Sequence, residues 1–194
     1  MAIVLVLSLC GLGILLADRQ KLNKEIVRLH VVANSDSEHD QKVKLQVRDA
    51  LLAYIENNMQ DITNAQQAKA YLKEHVAQLE QAANTVLSAF GEERARVSLK
   101  KEEFGIRQYD TFALPSGVYD SLRVEIGDAA GQNWWCVVFP SLCTGSCVDE
   151  FKDVAAASGF DNDLTNTLAK QDGYEIRFFF LDCLGKLENF FHIA

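Results

Sequence analysis

Residues 25–40 read EIVRLHVVANSDSEHD and change from a strand pattern to a helix pattern. Val27, Leu29 and Val31 alternate with other side chains, which is the spacing of a half-buried β-strand. The next four residues, Asn-Ser-Asp-Ser at 34–37, are types that favour turns and helix N-caps. From Glu38 onward the apolar residues recur at helical spacing. The stretch therefore predicts a strand, a tight turn and a long helix.

The rest of the chain adds one more long helix and several strands. Residues 63–66 have the form of a capping box and Gly91 suits a helix end, so a second long helix is predicted between them. Strand patterns follow at 94–100, 119–126, 133–139 and 174–181, with a hairpin-like connection at 127–131. A terminal amphipathic helix is expected over 182–191. This order predicts an α+β fold with a mostly antiparallel sheet and two long helices packed on one face.

The amino-terminal segment is apolar and uncharged from Ala2 to Leu16. Its length suits the hydrophobic region of a signal peptide or a short membrane anchor helix. The predicted organisation is a signal peptide or anchor at 1–17, a linker at 18–24, a main domain at 25–143 and an acidic C-terminal extension at 144–194. Cleavage after Ala17 and retention as an anchor both stay open.

Charge is unevenly distributed along the chain, whose formal net charge is −8. Residues 1–100 carry 12 basic and 12 acidic side chains, whereas residues 101–194 carry 7 and 15. A nucleic-acid binder needs a basic surface, and no basic block is present, so nucleic acid is excluded as a partner. Calcium-loop, zinc-protease, serine-hydrolase and phosphate-loop motifs are also missing from the sequence, so no metal or cofactor is predicted.

The cysteines allow two readings. Cys136 and Cys143 are seven positions apart, with a Pro-Ser turn between them, so a disulfide is geometrically allowed. Buried free thiols are the alternative. A thiol nucleophile at Cys136 or Cys143 with His30 as base is also conceivable, but an apolar strand disfavours a reactive thiolate at Cys136.

Both tryptophans of the chain are adjacent, in the run Asn133-Trp134-Trp135-Cys136. Neighbouring residues on a strand point to opposite faces of the sheet, so one ring enters the core. The other ring is either covered by another element or lies on the surface. A surface tryptophan is a residue type that anchors protein interfaces.

Three blocks of the chain resemble the stage II sporulation protein R family. The first is Ile26–Ser37, followed by Asp40-Gln41, Lys44 and Val47-Arg48-Asp49-Ala50. The second is Leu114–Asp120, and the third runs from Asn133 to Cys143. Their order and spacing also match, so the resemblance covers about residues 25–143.

The resemblance implies a signalling role in endospore formation. Such proteins are made in the forespore and exported into the space between the forespore and mother-cell membranes. There they trigger a membrane-embedded aspartic protease that processes pro-sigma-E, so the chain would be an activator and not an enzyme. The expected contact residues are Arg28, Asn34, Asp36, Arg48, Asn133, Trp134 and Trp135. An Arg48–Asp49 ion pair within the helix is the alternative role for Arg48.

Two other classes stay open. An extracytoplasmic thiol-dependent cell-wall hydrolase at the sporulation septum would depend on Cys136 or Cys143. A passive structural domain between the two membranes would need no protease. If the N-terminal segment is uncleaved, it is expected to contact the membrane.

Overall fold

The computed structural model describes residues 2–91, 94–142, 148–169 and 176–193. Its elements in chain order are α1 Ala2–Glu25, β1 Val27–Val32, α2 Glu38–Asn58, α3 Ala65–Glu74, α4 Val76–Phe90, β2 Ala95–Phe104, β3 Arg107–Gln108, β4 Ala113–Leu114, β5 Gly117–Ile126, β6 Asn133–Phe139, α5 Val148–Ala157, α6 Asn162–Leu168 and α7 Ile176–Ile193. The predicted α+β class is confirmed. The chain forms two units: unit 1 is Met1–Glu25, Glu102–Tyr119 and Thr144–Ala194, and unit 2 is Ile26–Lys101 and Asp120–Cys143.

The main sheet has four strands in the order β2-β5-β1-β6. Strand β1 pairs parallel to β5 and antiparallel to β6, so the sheet is mixed, where the sequence predicted a mostly antiparallel one. The hairpin predicted around residues 127–131 is wrong, because β1 lies between β5 and β6. Leu29 shows this arrangement directly, with Leu122 on one side and Cys136 on the other.

The core of unit 2 forms where three helices cover one face of the sheet. Val27, Leu29 and Val31 belong to a buried cluster with α2, α3 and α4, as the prediction of helices on one face requires. That cluster includes Val43, Val47 and Leu51 from α2, Leu72 from α3, and Leu79 and Leu87 from α4. All six residues of β1 are buried, so the strand is not half-buried as its alternation predicts.

The second long helix is divided at His75, which ends α3 and begins α4. The backbone N–H of His75 donates to the Tyr71 carbonyl, and its ring Nδ1 also lies 2.9 Å from that oxygen. Both contacts close the last turn of α3 and satisfy its terminal carbonyl at Tyr71. The predicted end at Gly91 is confirmed, with a left-handed φ of 67°.

Unit 1 contains α1, the paired strands β3 and β4, and helices α5 to α7. Residues 18–24, predicted to be a linker, continue α1, and Asp18, Arg19 and Leu22 are buried. The strand predicted over 174–181 is wrong from Ile176 onward, where α7 begins; residues 170–175 lie outside the described residues. None of the helices in the described parts of the chain is long and apolar enough to cross a membrane, so the predicted anchor helix is not supported.

Candidate functional site

The two tryptophans lie on opposite faces of β6, as predicted. Trp134 pairs with Val31, on the face that α2 covers, and Trp135 pairs with His30 on the other face. The Trp134 residue is 37% exposed, while Trp135 is half-buried. We call the surface formed by the exposed residues Asp36, Gln132, Asn133 and Trp134, together with the half-buried Arg48, the Trp134 patch.

Helix α2 places Arg48 over the indole of Trp134. The guanidinium carbon is 4.3 Å from the ring centroid, which is a cation–π contact. The same guanidinium pairs with Asp49, at 2.6 Å between Nη2 and Oδ1. The ion pair given as the alternative role for Arg48 is therefore present, and its contact with a partner stays a prediction. The Arg48 side chain is only 18% exposed. Its contact with the indole restrains the exposed ring of Trp134.

The turn after β1 fixes the loop that leads into β6. Asp36 Oδ1 accepts from the Gln132 backbone N–H at 2.8 Å, and Asn34 Oδ1 accepts from the Asp128 N–H at 3.0 Å. Gly131 lies so close to this turn that an added Cβ would be 2.2 Å from the Ser35 carbonyl oxygen. The sequence-predicted residues Asn34 and Asp36 thus act on the patch by holding residues 127–132 in place.

A buried carboxylate lies beneath the same turn. Asp40 Oδ2 accepts from Ser35 Oγ at 2.5 Å and from Asn34 Nδ2 at 3.1 Å, while the Asp40 N–H donates to the N-cap Ser37. The Ser35 hydrogen bond lowers the pKa of Asp40, burial opposes it, and the Asn34 and Ser37 bonds add to the lowering. The turn therefore caps α2 and places a carboxylate at its N-terminus.

A buried lysine, Lys44, contacts the loop that carries the patch residue Gln132. Lys44 Nζ donates to the Gln132 carbonyl at 3.0 Å and to Gln41 Oε1 at 2.5 Å. Burial lowers the pKa of Lys44, the nearby Asp36 carboxylate raises it and Arg48 lowers it further. The loop before β6 is thus held by side chains from both the turn and α2.

The opposite face of β1 places His30 against Trp135. The two rings are stacked with centroids 3.7 Å apart. His30 Nε2 is 2.7 Å from Asn133 Oδ1, and Arg123 Nη1 is 3.2 Å from His30 Nδ1. Arginine can only donate, so Nδ1 accepts and the Nε2–H donates to Asn133. The sequence pointed to His30 only as a catalytic base, because its position opposite Trp135 depends on the pairing of β1 with β6, which neither strand's own pattern shows.

Three predicted contact residues lie outside the patch, namely Asn34, Trp135 and Arg28, of which Arg28 is the most deeply buried. It lies in β1 and is 0% exposed. The alternation of β1 had placed Arg28 on an outward face, but both faces of this strand are covered. Its assignment as a surface contact is therefore not supported by its burial.

Cys136 and His30 do not form a nucleophile and base pair. Cys136 is disulfide-bonded and is paired with Leu29, whereas His30 is the next residue along β1 and points to the other face. Cys143 lies outside the described residues, so the Cys136–Cys143 pairing stays a prediction. Within the described ranges no group of three or more His, Cys, Asp or Glu side chains could hold a metal ion.

Comparison with known proteins identifies the family of this chain. The model of the family described as stage II sporulation protein R matches residues 23–149. The chain belongs to the stage II sporulation protein R family. The curated stage II sporulation protein R of Bacillus subtilis (strain 168) is 28% identical over 182 residues, covering 84% of this chain and 81% of that protein. No solved structure matches the chain.

Membership of the stage II sporulation protein R family confirms the resemblance found in the sequence. The matched residues 23–149 contain the whole Trp134 patch and the turn that holds it. A role in sporulation follows from the family. The part of the chain after residue 149, including α7, lies beyond the family match.

Proposed function

We propose that this chain is an exported signalling protein that activates a membrane-embedded aspartic protease during endospore formation. The protein would be released from the forespore into the space between the forespore and mother-cell membranes. There it would trigger processing of pro-sigma-E by contact, without catalysis of its own. Membership of the stage II sporulation protein R family supports the sporulation role.

The observation that carries the contact mechanism is the exposed Trp134 ring held by Arg48. Tryptophan and arginine are the residue types most often found to dominate binding energy at interfaces. The Gln132 N–H donates to Asp36 and Lys44 donates to the Gln132 carbonyl, so the adjoining loop is held and the surface exists before a partner arrives. A preformed surface loses little conformational entropy on binding, which favours affinity.

Activation by contact sets a thermodynamic requirement. The protease must have inactive and active arrangements, and the domain must bind the active one more tightly. A shift of the population from about 1:99 to about 99:1 requires roughly 10⁴-fold preference for the active arrangement. The Trp134 patch is the surface that we assign to this preferential contact.

A reconstitution tests this proposal. The protease, the sigma precursor and this chain are co-expressed in a non-sporulating host, with export of the chain verified, and processing is followed by immunoblot. We expect processing with the wild-type chain and a fall of about thirtyfold with Trp134→Ala when the chain is limiting, as for a hot-spot residue worth about 2 kcal/mol. Phe90→Ala is the matched control, because Phe90 is a 46% exposed aromatic residue of unit 2 outside the patch.

Each alternative outcome has a defined meaning. An exported wild-type chain that gives no processing overturns the activator role. Full processing with Trp134→Ala would show that the protease contacts another surface of the chain. Activity of the purified chain on isolated peptidoglycan, lost with Cys143→Ser, would instead support the cell-wall hydrolase.

A further inference from the structure

The outer face of helix α7 carries a cluster of exposed apolar side chains. These are Phe179, Phe180, Leu187, Phe190 and Phe191, with exposures between 44% and 68%. At about 100° per helical residue all five fall within a sector roughly 120° wide, together with the exposed Cys183. We call this sector the α7 stripe.

The inner face of α7 is fixed within unit 1, so the stripe stays turned outward. Asp182 Oδ1 accepts from the Ser116 N–H at 2.8 Å, and Asn189 Nδ2 donates to the Phe104 carbonyl at 3.0 Å. Leu181 is completely buried. Rotating the helix to hide the phenylalanines would break both hydrogen bonds and expose Leu181.

Helix α1, in the same unit, also carries an exposed apolar segment. Residues 11–17 read GLGILLA, and all are exposed except Leu15, which is half-buried. Seven residues make about two turns, so they present an uncharged surface all around the helix. Asn23 and Arg19 of α1 hydrogen-bond to Glu188, which holds α1 against α7.

The α7 stripe and residues 11–17 of α1 together indicate what covers unit 1. A protein groove or a second copy of the chain covers one side of a helix, whereas a helix that is apolar all round is typical of a protein core or of lipid. Residues 11–17 are largely exposed, so no core formed by the described residues surrounds them, and lipid is the medium that fits. The exposed residues of the α7 stripe carry no charge, so attraction to anionic headgroups is not required. We infer that unit 1 lies on the surface of a lipid bilayer, with the α7 stripe at the boundary between headgroups and acyl chains.

The inference goes beyond the proposed function, because binding to lipid involves no protease. The full chain is mixed with neutral phosphatidylcholine vesicles, and binding is measured by co-sedimentation. We expect Phe190→Ser to weaken partitioning about tenfold and Phe90→Ser, an exposed aromatic of unit 2, to leave it unchanged. Addition of salt should have little effect on partitioning.

A fluorescent label on Cys183 reports on the stripe itself. The label is environment-sensitive. The Cys183→Ser variant is labelled in the same way, and the signal that it lacks is the part that comes from Cys183. We expect a blue shift on adding vesicles, quenched by brominated acyl chains. A bound chain whose Cys183 label stays in water, or Phe190→Ser partitioning like the wild type, would overturn the inference. A shift without vesicles that accompanies a doubled molecular mass would overturn it in favour of a second copy.

Discussion

Trp134 keeps its exposed ring in one place because the Arg48 guanidinium lies over it. A cation–π contact at such a site contributes about 0.5–1 kcal/mol. Arg48→Ala also removes the Asp49 ion pair, so a double-mutant cycle with Trp134→Ala is needed to isolate the ring contact. We expect urea unfolding to give a coupling of about 0.5–1 kcal/mol. The same cycle with Phe90→Ala should be additive, and additivity with Trp134→Ala would contradict the contact.

Asp40 links the stability of unit 2 to acid pH. Its pKa is lowered from the ordinary 3.8, mainly by Ser35. A carboxyl whose pKa is lower in the folded than in the unfolded state contributes stability that is present above the unfolded pKa. That contribution is lost as the pH falls through the folded pKa. We therefore expect Asp40→Asn to cost about 1–3 kcal/mol at neutral pH and progressively less below pH ~4.

Urea unfolding across the acid range measures this effect. The free energies of unfolding of the wild type and Asp40→Asn should converge as the pH falls. Asp61→Asn is the control, since Asp61 is an exposed carboxylate of the same unit. Parallel curves for the wild type and Asp40→Asn would show that the carboxylate is not stabilised by the turn.

Between elements, the close contact of Gly131 with the β1–α2 turn makes another prediction. A Cβ at residue 131 would meet the Ser35 backbone at 2.2 Å, and backbone cannot move aside as a flexible side chain can. Gly131→Ala should therefore cost about 1–3 kcal/mol. Gly105→Ala is the control, because nothing lies within 4 Å of its added Cβ. Equal unfolding midpoints for the two variants would contradict this prediction.

Single elements were predictable where one pattern was unambiguous. The strand at β1, the helix at α2 and the glycine that ends α4 all appear in the structure, although β1 is buried on both faces. The aromatic run around Phe178 was wrongly predicted as a strand, because a short apolar run suits a buried strand as well as a helix. Its continuation through Leu187 and Phe191 at helical spacing carried the correct signal for α7.

At the scale of the whole molecule, pairing partners could not be read from local patterns. The connection at 127–131 looks like a hairpin, yet β1 from the other end of unit 2 lies between its strands. The position of β1 between β5 and β6 also explains which residues of the candidate site could be predicted. Trp134 and Arg48 were singled out from residue type. Arg28 was expected at the surface but is buried, because the covering of both faces of β1 is a tertiary effect. Gln132 and Arg123 were missed because their roles depend on that pairing.

Unit 1 is assembled from segments far apart in the sequence, and Arg19 joins them. Its guanidinium pairs with Glu188 of α7 at 2.5 Å and lies 5.6 Å from the ring centroid of Tyr119. The Arg19 side chain is 7% exposed, whereas that of Glu188 is 37% exposed. Loss of Glu188 therefore leaves a buried cation without its carboxylate, while loss of Arg19 leaves a carboxylate that water can reach.

We therefore expect unequal costs from the two partners of this ion pair. Glu188→Ala should lower the free energy of unfolding by about 2–3 kcal/mol, and Arg19→Met by less. The double variant should be more stable than Glu188→Ala alone, because the buried charge is gone. Urea unfolding gives these values, and faster amide exchange in α7 locates the loss. Lys21→Met, which removes an exposed pair with Asp161, should cost at most about 1 kcal/mol. A larger cost for Arg19→Met than for Glu188→Ala would mean that packing of the arginine, not burial of its charge, holds unit 1 together.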